Sequence, residues 1–244
     1  ILLIAPTGSG KTEAALFPIM SKIVEEKLSG GIHALYITPL RALNRDVFRR
    51  MSEIAEEVGV KIDVRHGDTP QRARKMQAMK PPHILITTPE TLQAILPGRI
   101  MREHLRNVKW VIVDEIHELA SDKRGAQLSL ALERLQEIIG REFQRIGLSA
   151  TVGSPRKVAA FLAGSQREVE IVNVLTQKQF QITVDVVEDE AQNEELAQKL
   201  DLPSQAISKL KYIIELAEKY NSILLFTNTR EMAEALASRI RLLK

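Results

Sequence analysis

The stretch Ala5-Pro6-Thr7-Gly8-Ser9-Gly10-Lys11-Thr12 decides the fold of this sequence. An apolar run, residues 1–4, precedes it and predicts a buried strand, and the helical spacing of the apolar residues after it predicts a helix. A glycine-rich turn between a strand and a helix is typical of loops that bind phosphate groups. A turn that binds nothing is disfavoured, because a lysine buried there without an anion would be costly.

Each part of this loop has a predicted role. Gly8 and Gly10 let backbone N–H groups turn towards the β- and γ-phosphates, Lys11 brings a positive charge to the same oxygens, and the Thr12 hydroxyl is predicted to hold Mg²⁺. The predicted cofactors are therefore ATP and Mg²⁺. The nucleotide-binding candidates are Pro6, Thr7, Gly8, Ser9, Gly10, Lys11 and Thr12.

A second motif, Asp114-Glu115-Ile116-His117, ends another apolar run. Because the carboxyl ends of parallel strands meet at one edge of a sheet, these side chains are expected beside the phosphate loop. Asp114 is predicted to bind Mg²⁺ through its water shell, and Glu115 to orient and deprotonate the attacking water. His117 completes the catalytic candidates, with Lys11. Alone, the motif fits a simple helix N-cap equally well; the upstream loop favours the catalytic interpretation.

A third motif, Ser149-Ala150-Thr151, ends the next predicted strand. The hydroxyls of Ser149 and Thr151 are expected near His117 and Glu115, where hydrogen bonds could relay the state of the nucleotide. The tripeptide alone is weak evidence.

Short apolar or β-branched runs alternate along the chain with longer stretches of helical period. This alternation predicts an α/β fold, a parallel sheet with helices on both faces. Predicted helices span residues 11–28, ended by Gly30-Gly31, and 41–58, ended by Gly59; another has Ser154 as N-cap, and one near 125–139 carries an apolar stripe. The predicted strands are residues 1–5, 32–38, 61–65, 83–87, 110–114, 145–149 and 169–174.

Three parts are predicted along the chain. Residues 1–175 form the first domain, and residues 176–203 form a connector with a strand-like piece at 181–187 and an acidic run. Residues 204–244 begin a second domain with a helix at 204–220, a strand at 222–226 and a helix from 230. A single strand with its helices cannot cover both faces of a sheet, so this domain is expected to be incomplete. The chain is expected to be a fragment whose natural start lies upstream.

Composition narrows the class of protein. The 244 residues are 44% hydrophobic and 27% charged, which is typical of a globular protein. The absence of cysteine excludes disulfide frameworks and Cys-ligated zinc. No apolar run approaches the roughly 18 residues of a membrane span, so a cytoplasmic protein without membrane contact is expected. The net charge is only +3, but residues 41–109 hold 14 Lys or Arg against 8 Asp or Glu, a balance that suits phosphates or an ordinary solvated surface equally.

Together with four further segments, the three motifs resemble those of superfamily 2 helicases, and most closely the Lhr-type (large helicase-related) proteins. The phrases that narrow the resemblance to the Lhr type include His66-Gly67-Asp68-Thr69-Pro70, Lys123-Arg124-Gly125 and Ile146 to Gly153. Asp114 to Leu119 also narrows it to the Lhr type. The four further segments are Thr38 to Asn44, Gly67 to Pro70, Thr87 to Glu90 and Phe226 to Arg230.

This resemblance implies a RecA-like domain followed by the start of a second one, in an ATP-driven motor that moves 3′ to 5′ along DNA. The expected partners are single-stranded or duplex DNA, possibly a DNA:RNA duplex or RNA, and further helicase domains outside this sequence. The path of the nucleic-acid strand on such a motor suits contacts to phosphates, which carry no base specificity. The residues that the resemblance places along the strand are Thr38, Pro39, Arg41, Asn44, Gly67, Asp68, Thr88, Pro89, Glu90 and Thr227. For Pro39 and Pro89, a helix start is the simpler explanation.

Two features of the family are missing from the sequence: the adenine-binding segment before the loop and the later motifs that carry an arginine finger. Since such an arginine is worth roughly 10³ to 10⁵ in rate, poor turnover by this chain alone is expected. Three alternatives stay open. One is a Ski2-like RNA helicase, another is a P-loop ATPase acting on a protein or small molecule, and the third is a nucleotide-gated binding module, which the presence of Glu115 argues against.

Overall fold

A parallel sheet organises the first of two compact units, residues Ile1–Gln177, in the computed structural model. The structure describes residues 1–150, 152–164, 167–174, 181–188, 193–200 and 202–243. Within them the strands are β1 (Leu2–Ile4), β2 (Ala34–Ile37), β3 (Ile62–Arg65), β4 (Ile84–Thr87), β5 (Trp110–Val113), β6 (Gln144–Ser149) and β7 (Ile171–Asn173). They lie in the order β3-β4-β2-β5-β6-β1-β7, and neighbouring strands run parallel.

Helices cover both faces of this sheet. The helices of the first unit are α1 (Lys11–Glu25), α2 (Arg41–Glu57), α3 (Gln71–Met79), α4 (Pro89–Ile95), α5 (Arg99–Leu105), α6 (Ile116–Ala120), α7 (Lys123–Ile139) and α8 (Pro155–Ala163). Successive residues of a strand point to opposite faces, so β2 contributes Leu35 and Ile37 to one core and Ala34 and Tyr36 to the other. The second of these cores is packed by α1 and α2, and the first by α4, α5, α7 and α8.

The seven strands predicted from the sequence are confirmed, each within a few residues of its predicted bounds. The apolar stripe of α7 is confirmed as well, since Leu128, Leu132 and Leu135 are buried. Ser154 is the N-cap residue of α8, as predicted, although its side chain makes no capping hydrogen bond. The α/β class follows from these elements.

The predicted end of α1 is wrong. The helix stops at Glu25, and the N–H of Leu28 donates to the carbonyl of Ile23 over 3.0 Å. Lys27 takes the left-handed conformation (φ 50°) that this closure requires. The chain has therefore left the helix before it reaches Gly30-Gly31, and those glycines do not cap it.

In the second unit, Lys178–Lys244, the regular elements of the described residues are helices. It contains α9 (Glu194–Leu200), α10 (Ser204–Lys219) and α11 (Arg230–Leu243), and a small core forms around Ala197, Ile207 and Leu210. Helix α9 lies inside the predicted connector.

The strands predicted at residues 181–187 and 222–226 are not formed. Their apolar side chains are exposed, with Val184 88% and Phe226 90% accessible. A strand is stable only when a neighbour satisfies its backbone N–H and C=O groups, and no described strand pairs with either segment. The β-branched and apolar residues of these segments were therefore not sufficient for a strand, and both predictions are wrong. Among the described residues, no helix combines the length and apolar character needed to cross a lipid bilayer.

Candidate nucleotide and nucleic-acid site

The loop between β1 and α1 has the shape of a phosphate cradle. Gly8 and Gly10 take φ values of 79° and 83°, in the left-handed region that favours glycine. Lys11 is the first residue of α1 and is 9% exposed. Its ammonium group donates to the carbonyls of Ala5 (2.7 Å) and Pro6 (3.0 Å), so the side chain folds back across the loop. The buried positive charge is thus held where phosphate oxygens would meet it.

The acidic motif follows β5 and reaches the same place. A cavity of about 390 Å³ is bounded on one side by the loop and on the other by Asp114 and Glu115. Helix α2 closes it with four side chains, among them Arg50, which forms ion pairs with Glu13 and Asp46. The loop residues on its wall are Thr7, Gly8, Gly10, Lys11 and Thr12. Pro6 and Ser9 instead shape the loop from within, since the N–H of Ser9 donates to the carbonyl of Pro6 over 3.3 Å.

Both carboxylates of this motif are electrostatically unusual. Burial raises the pKa of Asp114 above its ordinary value, although a hydrogen bond from Tyr36 and the charge of Lys11 act in the opposite direction. Burial, followed by the charge of Asp114, raises the pKa of Glu115. Glu115 also has a left-handed backbone (φ 46°, ψ 42°), which is uncommon for a residue with a side chain. Perturbed groups of this kind in a cavity are typical of functional sites.

Oxygen ligands suited to Mg²⁺ come together in this cavity. The hydroxyl of Thr12 lies 3.3 Å from the hydroxyl of Tyr36, which in turn donates to Asp114 Oδ2 over 2.7 Å. Mg²⁺ is commonly held by one or two carboxylates and substrate phosphates, with waters completing its shell. A threonine hydroxyl and a single carboxylate facing a phosphate loop fit that donor set.

A short chain of polar contacts joins the second and third motifs. Ser149, at the end of β6, is buried, and its hydroxyl lies 3.0 Å from His117 Nδ1. The same imidazole nitrogen is 3.5 Å from a carboxylate oxygen of Glu115. The predicted proximity of Ser149 to His117 is therefore confirmed, and His117 links Ser149 to Glu115. Thr151 lies outside the described residues.

The proposed strand-contacting residues follow β2, β3 and β4, which are neighbours in the sheet. Their segments therefore line one stretch of its carboxyl edge. The hydroxyl of the buried Thr38 lies 2.9 Å from the carbonyl oxygen of Leu40 and 2.5 Å from the side-chain oxygen of Asn44, so Thr38 and Asn44 shape the turn after β2. The side chain of Arg41 is not among those described.

The segments after β3 and β4 are held from behind. Arg74 donates to the carbonyl of Gly67 (2.6 Å), the residue that precedes Asp68. Thr88 caps α4 and Pro89 is its first residue, so Pro89 does begin a helix. Thr227 lies in the second unit, where its hydroxyl donates to the carbonyl of Thr229 over 2.9 Å.

Sequence analysis missed two residues that the structure brings to this edge. Tyr36 contacts both predicted Mg²⁺ ligands. In the sequence it is one residue of a predicted buried strand, and only its hydroxyl distinguishes it from its apolar neighbours. Arg124 donates to Glu90 (2.5 Å) and to the carbonyl of Pro39 (2.5 Å), and so joins two of the strand-contacting segments. The triplet Lys123-Arg124-Gly125 is part of the resemblance to Lhr-type proteins, but nothing in the sequence indicates the partners of Arg124.

Comparison with known proteins agrees with this geometry. Residues 1–160 match the family model of the DEAD/DEAH box helicases. The chain is 40% identical over 255 residues to the ATP-dependent helicase Lhr-Core of Methanocaldococcus jannaschii, covering 97% of this chain and 29% of that protein. It is 41% identical over 253 residues to the Lhr helicase/probable uracil glycosylase of Mycolicibacterium smegmatis, covering 98% of this chain and 16% of that protein.

A solved structure is similar over nearly the whole chain. The helicase Lhr of Mycobacterium smegmatis, bound to single-stranded DNA and AMP-PNP, gives a TM-score of 0.81 at 40% identity. The match covers 99% of this chain and 32% of that one. The RecA-like fold expected from the sequence is thereby confirmed. The chain spans less than a third of the length of each of these relatives.

Proposed function

Because this chain belongs to the DEAD/DEAH box helicase family, we propose that it is the ATP-binding and ATP-hydrolysing part of an Lhr-type motor acting on DNA. The observation that carries the proposal is the single cavity shared by the phosphate loop and the carboxylates of Asp114 and Glu115. The motor is proposed to move 3′ to 5′ along one strand of single-stranded or duplex DNA, or of a DNA:RNA duplex. The motor is proposed to work in the cytoplasm.

Hydrolysis in this cavity would use residues already in place. Lys11 would exchange the carbonyls of Ala5 and Pro6 for oxygens of the β- and γ-phosphates, which keeps its charge hydrogen-bonded throughout. Thr12 and Asp114 would hold Mg²⁺, which when bound neutralises charge that develops on the phosphates. Glu115 would accept a proton from water while the water oxygen attacks the γ-phosphorus. The bond between the γ-phosphorus and the β–γ bridging oxygen would break at the same time. A raised pKa makes Glu115 a stronger base for that step.

The contact of Glu115 with His117 supports a role in coupling. Loss of the γ-phosphate changes the charge beside Glu115, and His117 and the buried Ser149 are its next neighbours. Ser149 ends β6, the strand between β1 and β5, so a shift of its hydroxyl acts on the centre of the sheet. Thr151 is proposed to act with it.

The carboxyl edge of β2, β3 and β4 is proposed as the path of the DNA strand. Backbone groups and helix N-termini at this edge suit phosphates without regard to base sequence. The relative from Mycobacterium smegmatis is bound to single-stranded DNA, which supports DNA as the strand.

The test is an ATPase assay on the full-length protein with matched single strands of DNA and RNA. Stimulation by DNA is expected, with unwinding of a duplex that carries a 3′ tail and not of one that carries a 5′ tail. Lys11→Ala is expected to abolish the stimulated rate. Lys22→Ala, an exposed lysine of the same helix, serves as the control and should keep it.

Failure of any nucleic acid to stimulate the rate would favour a P-loop ATPase with another partner. Stimulation by RNA alone would favour the Ski2-like interpretation. Survival of the rate in Lys11→Ala would overturn the assignment of the site itself.

A further inference from the structure

Tyr36 is the one aromatic residue of the aliphatic strand β2, Ala34-Leu35-Tyr36-Ile37, and it is fully buried. Its ring belongs to the core that α1 and α2 cover, together with Leu16 and Ile112. A phenylalanine would supply the same apolar area, so packing alone does not require the hydroxyl. A buried hydroxyl is costly unless it is hydrogen-bonded, which directs attention to its partners.

The partners of this hydroxyl are the two predicted Mg²⁺ ligands. It donates to Asp114 Oδ2 over 2.7 Å and lies 3.3 Å from Thr12 Oγ1. These ligands belong to different elements, since Thr12 lies in α1 and Asp114 follows β5. The hydroxyl of Tyr36 therefore bridges the two sides of the cavity.

The arrangement of protons follows from counting donors. A tyrosine hydroxyl has one proton, and the carboxylate of Asp114, which can only accept, takes it. The contact with Thr12 must then use the threonine proton, which leaves the lone pairs of Oγ1 free for a cation. The other oxygen of Asp114 accepts the N–H of Glu115 over 2.9 Å, so both carboxylate oxygens are fixed in direction.

We propose that Tyr36 is a positioning residue of the Mg²⁺ site, which orients the threonine hydroxyl and the aspartate carboxylate before the nucleotide arrives. The inference rests on the proposed function of the cavity and adds a residue to it. Partners that orient metal ligands typically change metal affinity by about 10- to 100-fold when they are removed. Tyr36 would act through these two side chains and would not touch the substrate.

The test is equilibrium binding of a fluorescent ADP, N-methylanthraniloyl-ADP, to the 244-residue chain. Affinity is measured with EDTA and across a series of Mg²⁺ concentrations, for wild type and Tyr36→Phe. For the variant, the Mg²⁺ concentration that gives half of the maximal enhancement of binding is expected to rise at least about 10-fold. Its nucleotide affinity in EDTA is expected to equal that of wild type. A role in packing alone would move neither quantity.

The chain offers a matched control in Tyr212→Phe. Tyr212 also donates its hydroxyl to a carboxylate, that of Asp185, but it lies in the second unit. This variant is expected to keep the Mg²⁺ dependence of wild type. Thermal melts of each variant establish folding, and Tyr36→Met, whose flexible side chain also fills the space without a hydroxyl, replaces the phenylalanine variant if that one melts below the assay temperature.

The outcomes separate the two levels of the proposal. If wild type shows Mg²⁺-dependent binding and a folded Tyr36 variant keeps the same dependence, the role of Tyr36 is overturned and the function of the cavity stands. Weaker binding of the variant in EDTA by the same factor would also overturn it, because the loss would not concern the cation. Absence of Mg²⁺-dependent binding in wild type would overturn both.

Discussion

Gly125 shows how a single atom can matter to the site. A Cβ built on this residue of α7 would lie 2.0 Å from the backbone oxygen of Leu119, in the short helix α6 that follows the acidic motif. The glycine therefore allows α7 to pack closely against α6, the helix that follows Asp114 and Glu115. Because the obstacle is backbone, the two helices would have to separate to accept a methyl group.

Gly125→Ala is accordingly expected to lower the free energy of unfolding by about 1–3 kcal/mol, the usual cost of forcing extra atoms into a packed region. Urea denaturation followed by the fluorescence of Trp110 measures it. Gly153→Ala is the control, since a Cβ there meets nothing within 4 Å and its backbone is not left-handed. Equal stability of the two variants would contradict the prediction.

The residues of the site could be predicted to different degrees. The loop and the acidic motif were found from the sequence because their chemistry requires particular residues at consecutive positions. Tyr36 and Arg124 were not assigned roles, because their partners are distant in the sequence: Asp114 is 78 residues from Tyr36, and Pro39 is 85 residues from Arg124. Spacing along the chain does not indicate such contacts, which depend on the order of strands in the sheet.

At the scale of elements, Arg124 joins α7 to two segments at the carboxyl edge. It donates to Glu90, at the start of α4, and to the carbonyl of Pro39, after β2. Partial burial of Glu90 opposes its ionisation, but the hydrogen bond from Arg124 prevails and its pKa is lowered. The ion pair thus fixes the distance between segments that we propose to contact the DNA strand.

Arg124→Gln is expected to raise the concentration of single-stranded DNA needed for half-maximal ATPase stimulation several-fold. Loss of a charged hydrogen bond at a partly exposed position is worth about 1 kcal/mol, which supports that magnitude. The measurement is a DNA titration of the full-length protein. Arg134→Gln is the control, because Arg134 also joins α7 to α4, through Gln93, away from the edge. If both variants need the same DNA concentration for half-maximal stimulation, the proposed role of Arg124 in DNA binding is wrong.

Elements were predicted well where they were paired and poorly where they were not. The runs that became β1 to β7 have parallel neighbours, so their apolar character and their structure agree. The run at residues 222–226 has the same character but no neighbour among the described strands. Strand formation depends on a partner as much as on the residues themselves, and a local pattern carries no information about the partner.

At the scale of the whole molecule, two histidines make stability depend on pH. His33 and His83 precede β2 and β4, with ring centroids 6.1 Å apart. Burial lowers the pKa of His33, and nearby His83 and Lys109 lower it further. Burial and the charge of Lys61 lower the pKa of His83. Folding therefore disfavours protonation of both imidazoles.

A histidine whose pKa is lowered by folding adds stability above its unfolded pKa, near 6.5, and loses it as the pH falls through the folded value. The free energy of unfolding of wild type is thus expected to decrease as the pH falls below about 6.5. Urea melts at a series of pH values measure this decrease. His33→Phe, which cannot take up a proton, is expected to show a shallower decrease; a slope equal to that of wild type would assign the effect to other groups.

The backbone of Glu115 has a consequence of its own. Its left-handed conformation costs a residue with a side chain about 1–2 kcal/mol, and glycine would relieve most of that. Glu115→Gly is therefore expected to raise thermal stability and to lower the rate of ATP hydrolysis, because it relieves the backbone strain and also removes the proposed base. A laboratory selection for thermal stability alone would replace this glutamate. A selection for ATPase activity would keep the glutamate and its strained backbone.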